Sequence, residues 1–196
     1  LHYRLPTSTP QHWEYRNAPK ALKIEDVPDT EGLFGSLCIY DVPVAGDTIR
    51  LKCWGGNVAF TYFIKQYYFE RNGVIIRPET GDYCIDGGAC FGDTAICFAH
   101  SVGESGYVYT FDFLPKHLEI IADNIAMNPE LEDRIDVYDV ALSNVVTPRT
   151  KQTNINANDI DPGANAYTQS PPAETIDNLV HQTKITRIDF IKLDVE

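Results

Sequence analysis

The spacing of apolar residues divides the chain into two regimes. Leu37-Cys-Ile-Tyr-Asp-Val42 and Thr48-Ile-Arg-Leu-Lys-Cys53 alternate like strands, and Gly46-Asp47 between them predicts a hairpin. Phe60, Phe63, Ile64, Tyr67 and Tyr68 recur at helical spacing. They predict an amphipathic helix over residues 57–71, with its aromatic stripe in the core and Gly73 as its stop. From residue 83 onward, strand and helix patterns alternate. Strands are predicted at 83–86, 107–112, 135–142 and 188–195, and helices at 93–101, 115–127 and 175–182. The second helix opens on Pro115, a favoured first helical residue. Residues 143–172 read as a polar loop rich in Asn, Thr and Pro. Residues 1–35 carry Pro6, Pro10, Pro19 and Pro28 and predict an irregular arm with at most one short helix, near residues 11–15. Alternation with near-continuous apolar strands predicts an α/β fold with a doubly wound, Rossmann-like parallel sheet covered on both faces. The expected division is an arm and hairpin extension over 1–56 and a main domain over 57–196.

Composition narrows the classes. The chain has 196 residues, 43% of them hydrophobic, enough for one sizeable core. Its formal net charge of −12, without a Lys/Arg cluster, argues against nucleic acid or an anionic membrane surface as a partner. The five cysteines are odd in number and form no C-x-x-C pair, so neither a disulfide framework nor a zinc ribbon is expected. They read as reduced thiols of a cytoplasmic protein. No apolar run has the length of a membrane span, and no signal peptide opens the chain. The acids are scattered, so no metal site is expected. The sequence starts at Leu1 and stops at Glu196 directly after a strand signal, which leads us to expect a parent chain that continues.

The chemistry centres on Asp86-Gly87-Gly88-Ala89-Cys90-Phe91-Gly92, which follows a strand and opens a helix. In a doubly wound sheet that turn lies at the carboxyl edge, where ligands bind. Glycines let the backbone approach a ligand, and the helix N-terminus offers free N–H groups. Nicotinamide and flavin enzymes use similar loops, and a tight turn without ligand is the bland alternative. Two acids argue for a different cofactor. Asp86, just before the glycines, would repel a pyrophosphate but suits the cationic ammonium and sulfonium of S-adenosylmethionine. Asp112, at the end of the next strand, can accept hydrogen bonds from ribose hydroxyls.

Further segments follow in order: Tyr109-Thr-Phe-Asp-Phe-Leu-Pro115, Asn124-Ile-Ala-Met-Asn128, Val140-Ala-Leu-Ser143, Glu174-Thr-Ile-Asp-Asn-Leu179 and Ile188-Asp-Phe-Ile-Lys-Leu-Asp-Val-Glu196. With the glycine loop, this series resembles the FkbM family of methyltransferases from about residue 60 to 196. The resemblance implies methyl transfer from S-adenosylmethionine to a hydroxyl oxygen of a sugar or another small metabolite. The chain departs from the family pattern at Gly87, where an aliphatic residue is usual, at Cys90, where Asn is usual, and at Asp112, where Glu is commoner. About four of the family's seven strands are expected within this sequence.

On this reading Gly87, Gly88 and Ala89 pass the backbone along the methionine and ribose, and Gly92 begins the helix close to the cofactor. Phe113 is a candidate cover for the adenine, and Val140, Ala141 and Leu142 pass near it; Asp139 is an alternative contact for its amine. Asp194 and Glu196 end the last strand at the ligand edge and are candidates to orient or deprotonate the acceptor hydroxyl. Strand alternation sets Lys192 on the same side, so a structural ion pair competes with that role. His2, His12, His100, His117 and His181 are candidate bases by type only, and His117 is expected at the surface. Two other functions stay open at this point, a nicotinamide-dependent oxidoreductase and a non-catalytic cofactor-binding module of a larger protein. The sequence leaves the oligomeric state open.

Overall fold

The structure, a computed structural model, describes residues 10–28, 32, 34–148, 171–183 and 185–195. The candidate Glu196, His2 and residues 149–170 of the polar loop lie outside the described residues.

The main sheet comprises β6 (Tyr83–Gly87), β7 (Tyr107–Asp112), β8 (Ile135–Asp139) and β11 (Phe190–Leu193). Its order is β11-β6-β7-β8 and every pairing is parallel. β6 and β7 are buried almost throughout, as a sheet covered on both faces requires. On one face lie α3 (Asp93–Val102) and α4 (Pro115–Ala126), with Ile96, Phe98, Ile120, Val108 and Phe190 in a common core. On the other lies α5 (Ile176–Thr183), whose Leu179 packs with Ile85, Tyr109 and Phe111. The chain winds outward from β6 to β8 and then returns to the far side of β6 through β11. The connections therefore diverge between β6 and β11, which is where open α/β sheets place their ligands.

The hairpin exists and is extended. β2 (Leu37–Val44) and β3 (Asp47–Cys53) pair antiparallel, and β1 (Lys23–Val27) adds a third strand. Ahead of β1 runs α1 (Pro10–Leu22), a longer helix than the prolines suggested. This small sheet shares the α3 core, since Ile49, Leu51 and Cys53 belong to the same apolar cluster as Phe91 and Phe98.

The helix expected over 57–71 is replaced by three shorter pieces. α2 (Gly55–Val58) runs into a π-helical turn (Ala59–Ile64), which ends at Lys65 with φ +54°. β4 (Phe69–Arg71) and β5 (Val74–Ile76) then form a hairpin. Its turn is Asn72-Gly73, both left-handed at φ +52° and +78°. That is the two-residue turn that Asn-Gly favours, so Gly73 turns a hairpin where a helix stop was expected. The strand expected over 135–142 also divides, into β8 and β9 (Ala141–Leu142), and β9 pairs with β10 (Ala173–Glu174).

Candidate cofactor site

The glycine loop leaves β6 in a conformation that side chains restrict. Gly88 has φ +72°, and a Cβ there would sit 2.1 Å from the carbonyl oxygen of Asp194. Gly92 has φ +76°, and its Cβ would press on Ile121 of α4 at 3.2 Å. Gly87 faces Leu193 and Leu142, whose methyl carbons would lie 2.8 and 2.9 Å from an added Cβ. Two leucine side chains, from β11 and β9, thus fill the space beside Gly87. Ala89 closes the turn by accepting from the Gly92 N–H at 2.8 Å.

Asp86 is fully buried and meets a cation of the protein itself. Lys192 Nζ lies 2.9 Å from its Oδ1, and Thr94 donates to its Oδ2 at 2.6 Å. The register of the parallel pair sets Lys192 directly beside Asp86. The same ammonium donates to the carbonyls of Gly87 and Gly88, at 3.1 and 2.7 Å. Lys192 thus ties β11 to the loop and neutralises the acid before the glycines.

Asp112 lies at the carboxyl end of β7, where the sequence set it, and is 7% exposed. It accepts from the N–H groups of Cys90, Phe113 and Leu114 at 2.8–3.0 Å, and from His117 Nδ1 at 3.0 Å. Burial pushes this carboxyl up, but His117 and the backbone donors outweigh it and hold it below the ordinary range. His117 is not a surface residue. Its side chain is 14% exposed, and its ring stands against Phe34 and Phe91 at 5.3 and 5.6 Å. Cys90 sits between the two, its Sγ 3.9 Å from His117 Nε2. Burial, with help from Asp93 and Asp112, pushes the thiol up to about 12, which favours its protonated form.

Phe113 contributes its N–H to Asp112 and is half-buried. Val140 and Leu142 pack on the α5 side, against the Ile85–Phe111 cluster, and Ala141 pairs with Ala173. Asp139 is the partner of Asp112 in the register of β7 and β8. Asp194 is exposed after β11 and accepts a 2.5 Å hydrogen bond from Tyr67.

Between these parts opens a cavity of about 280 Å³. The loop residues Gly88, Ala89 and Cys90 form one wall, Lys192 and Asp194 another, and Trp54, Asn57, Phe60, Thr61 and Tyr67 the third. Asp93, the first residue of α3, lines it as well and is 3% exposed. Asn57 and Thr61 donate to its two oxygens at 2.9 and 2.5 Å. Burial raises this carboxyl, and the Thr61 bond offsets only part of the effect. Reading the sequence missed Asp93, Asn57, Thr61 and Tyr67. A signal existed in Asp93, an acid opening a helix directly after the glycine loop. Its partners are 32 and 36 residues away and left no local trace.

The sequence pattern of the methyltransferase FkbM domain matches residues 86–196, more than half of the chain. The chain belongs to this family. The match favours methyl transfer over the nicotinamide alternative. No curated protein matches the chain. Solved structures similar to parts of this chain include the following three. An S-adenosylmethionine-dependent methyltransferase from Aquifex aeolicus is 19% identical, with TM-score 0.31, over 37% of each chain. Fibrillarin from Aeropyrum pernix, in complex with natively bound S-adenosyl-L-methionine, is 16% identical with TM-score 0.34, over 59% of this chain and 51% of its own. An arsenic(III) methyltransferase from Chlamydomonas reinhardtii is 23% identical with TM-score 0.28, over 39% and 27%. This chain therefore spans between about a quarter and a half of their length. The fold assignment rests on the sheet order itself.

The residues of the FkbM domain fit a cationic cofactor. The cavity beside the glycine loop is lined by a buried carboxylate whose hydrogen-bond donors are both neutral. Such a group is costly to bury unless a positive charge joins it. Asp112, at the carboxyl end of β7, is held by three backbone N–H groups and His117.

Proposed function

We propose that this chain is the cofactor-binding part of an S-adenosylmethionine-dependent O-methyltransferase whose acceptor is a hydroxyl of a sugar or other small metabolite. The observation that carries the reading is the cavity at the divergence of β6 and β11, bounded by the glycine loop, Asp194 and the Trp54–Tyr67 segment. The bound cofactor supplies an electrophilic methyl on a sulfonium, so the protein's task is largely to position the two reactants and exclude water. Asp112 and the loop hold the nucleoside side. Asp194 stands on the opposite wall, with Tyr67 donating to one of its oxygens and fixing its orientation. Its remaining lone pairs can accept the proton of an acceptor hydroxyl and direct that oxygen toward the methyl group. Trp54, Phe60 and Tyr67 give the same cavity flat apolar surfaces beside the amides of Asn57 and Gln66, a combination suited to a polyhydroxylated ring. All five cysteines are free thiols, which supports a reducing, cytoplasmic setting.

Thermal melting with S-adenosylhomocysteine tests the reading. A ligand at a hundred times its Kd stabilises by about 2.7 kcal/mol, a shift of several degrees. The wild-type chain is expected to show that shift, and Asp112→Ala to abolish it. If neither S-adenosylmethionine nor S-adenosylhomocysteine moves the wild-type transition, the assignment fails.

A further inference from the structure

Four carboxylates flank the glycine loop, and their surroundings give them different capacities. Asp112 is held by three backbone N–H groups and His117. Asp86 is matched by Lys192, whose ammonium also bonds the Gly87 and Gly88 carbonyls. Asp194 is exposed, so water screens its charge, and Tyr67 engages one oxygen. Asp93 alone combines burial with neutral donors, Asn57 and Thr61, while lining the cavity. Among the described residues no cation forms an ion pair with it. In a poorly solvated site, an anion hydrogen-bonded only by neutral groups attracts a cation more strongly than a screened or already paired one.

We propose that Asp93 holds the ammonium group of the cofactor's amino-acid end, the role that the chain's order had given to Asp86. The assignment rests on the cofactor reading above. Asp93 lies at the start of α3 and lines the same cavity as Gly88, Ala89 and Cys90. Lys192 favours this division: it is paired with Asp86 at 2.9 Å, where a second ammonium would meet like charge, whereas its charge reaches Asp93 without forming an ion pair. Asn57 and Thr61 hold the Asp93 carboxylate from the α2 and π-helical side, which makes that irregular turn a positioning element for cofactor binding.

The test is calorimetric titration of the full chain with S-adenosylhomocysteine and with its deaminated analogue, which keeps the carboxylate and lacks the amine. The wild-type chain is expected to prefer the amine-bearing ligand by about tenfold or more, as for one charge-assisted bond. Asp93→Asn is expected to erase that preference while binding the deaminated analogue as the wild type does. Asp93→Ser, read the same way, serves if the amide variant does not fold. Equal weakening toward both ligands would mark Asp93 as a brace only and overturn the proposal, as would an undiminished preference in both variants. Loss of the preference in Asp194→Asn instead would also overturn it. Absence of any binding by the wild-type chain sinks the cofactor reading itself, and with it this proposal.

Discussion

Cys90 holds a backbone conformation that its side chain disfavours. Its φ of +52° lies in the left-handed region, which costs an ordinary L-residue about 1–2 kcal/mol, and which Asn adopts more readily. Cys90→Asn is expected to stabilise the fold by about 0.5–1 kcal/mol in urea titration, with the N–H bond to Asp112 preserved. Gly88→Ala should do the reverse. It adds left-handed strain and a clash with the Asp194 carbonyl, and a loss of about 3 kcal/mol or more is expected in the same measurement. Asp112 gives a pH signature. Its folded pKa lies below the ordinary value of 3.8, so its stabilisation is complete above that value and is lost as pH falls through the lowered folded pKa. The advantage of wild type over Asp112→Asn in chemical unfolding should therefore hold above pH 3.8 and shrink below it. Asp86, Gly88 and Asp112 were legible in sequence because a strand–glycine–helix pattern is local. The partner of Asp86 was not, because Lys192 reaches it only through the register of two strands more than a hundred residues apart.

Elements whose identity depends on neighbouring residues were read well. β6, α3, β7 and α4 lie close to the ranges their periodicity indicates, since each buries a continuous face against the next. The segment after β3 was misread for a physical reason. Phe60, Phe63, Ile64, Tyr67 and Tyr68 do mimic a helical stripe. Yet the segment closes in a π-helical turn in which Thr61 bonds Asp93, and Lys65 ends it in a left-handed conformation. The Asn72-Gly73 turn was the stronger signal, and the aromatic spacing masked it. β4 and β5 are exposed along their whole length, so their stability rests on that turn. Gly73→Val is expected to open the hairpin alone. Hydrogen exchange should accelerate at residues 69–76 and stay unchanged in β6 and β7.

At the scale of the molecule, two asparagines join the hairpin sheet to the main domain. β3 is an edge strand, and the groups on its open side are met by side chains of α4 and the residues after it. Asn124 accepts from the Lys52 N–H at 2.6 Å and donates to the carbonyls of Lys52 and Phe91 at 3.1 and 2.6 Å. Asn128 does the same for Arg50, accepting at 2.9 Å and donating at 2.7 Å. Each amide thus imitates the donor and acceptor of a neighbouring strand. Both are almost fully buried, at 0% and 1% exposure. Asn124→Ala leaves buried backbone groups without partners, at about 1–3 kcal/mol each. Urea unfolding is expected to show one transition for both sheets, shifted to lower midpoint. Sequence presented the Asn124–Asn128 pair only as a family mark, because its function lies in contacts across more than seventy residues.

An uncovered strand edge is a template on which another chain can add, and proteins commonly blunt it with charge, proline or a covering loop. Here two carboxamides close it from the side. Replacing both Asn124 and Asn128 by alanine would therefore do more than weaken the fold. It would return a bare ladder of N–H and carbonyl groups to β3, and light scattering should detect self-association below the unfolding temperature.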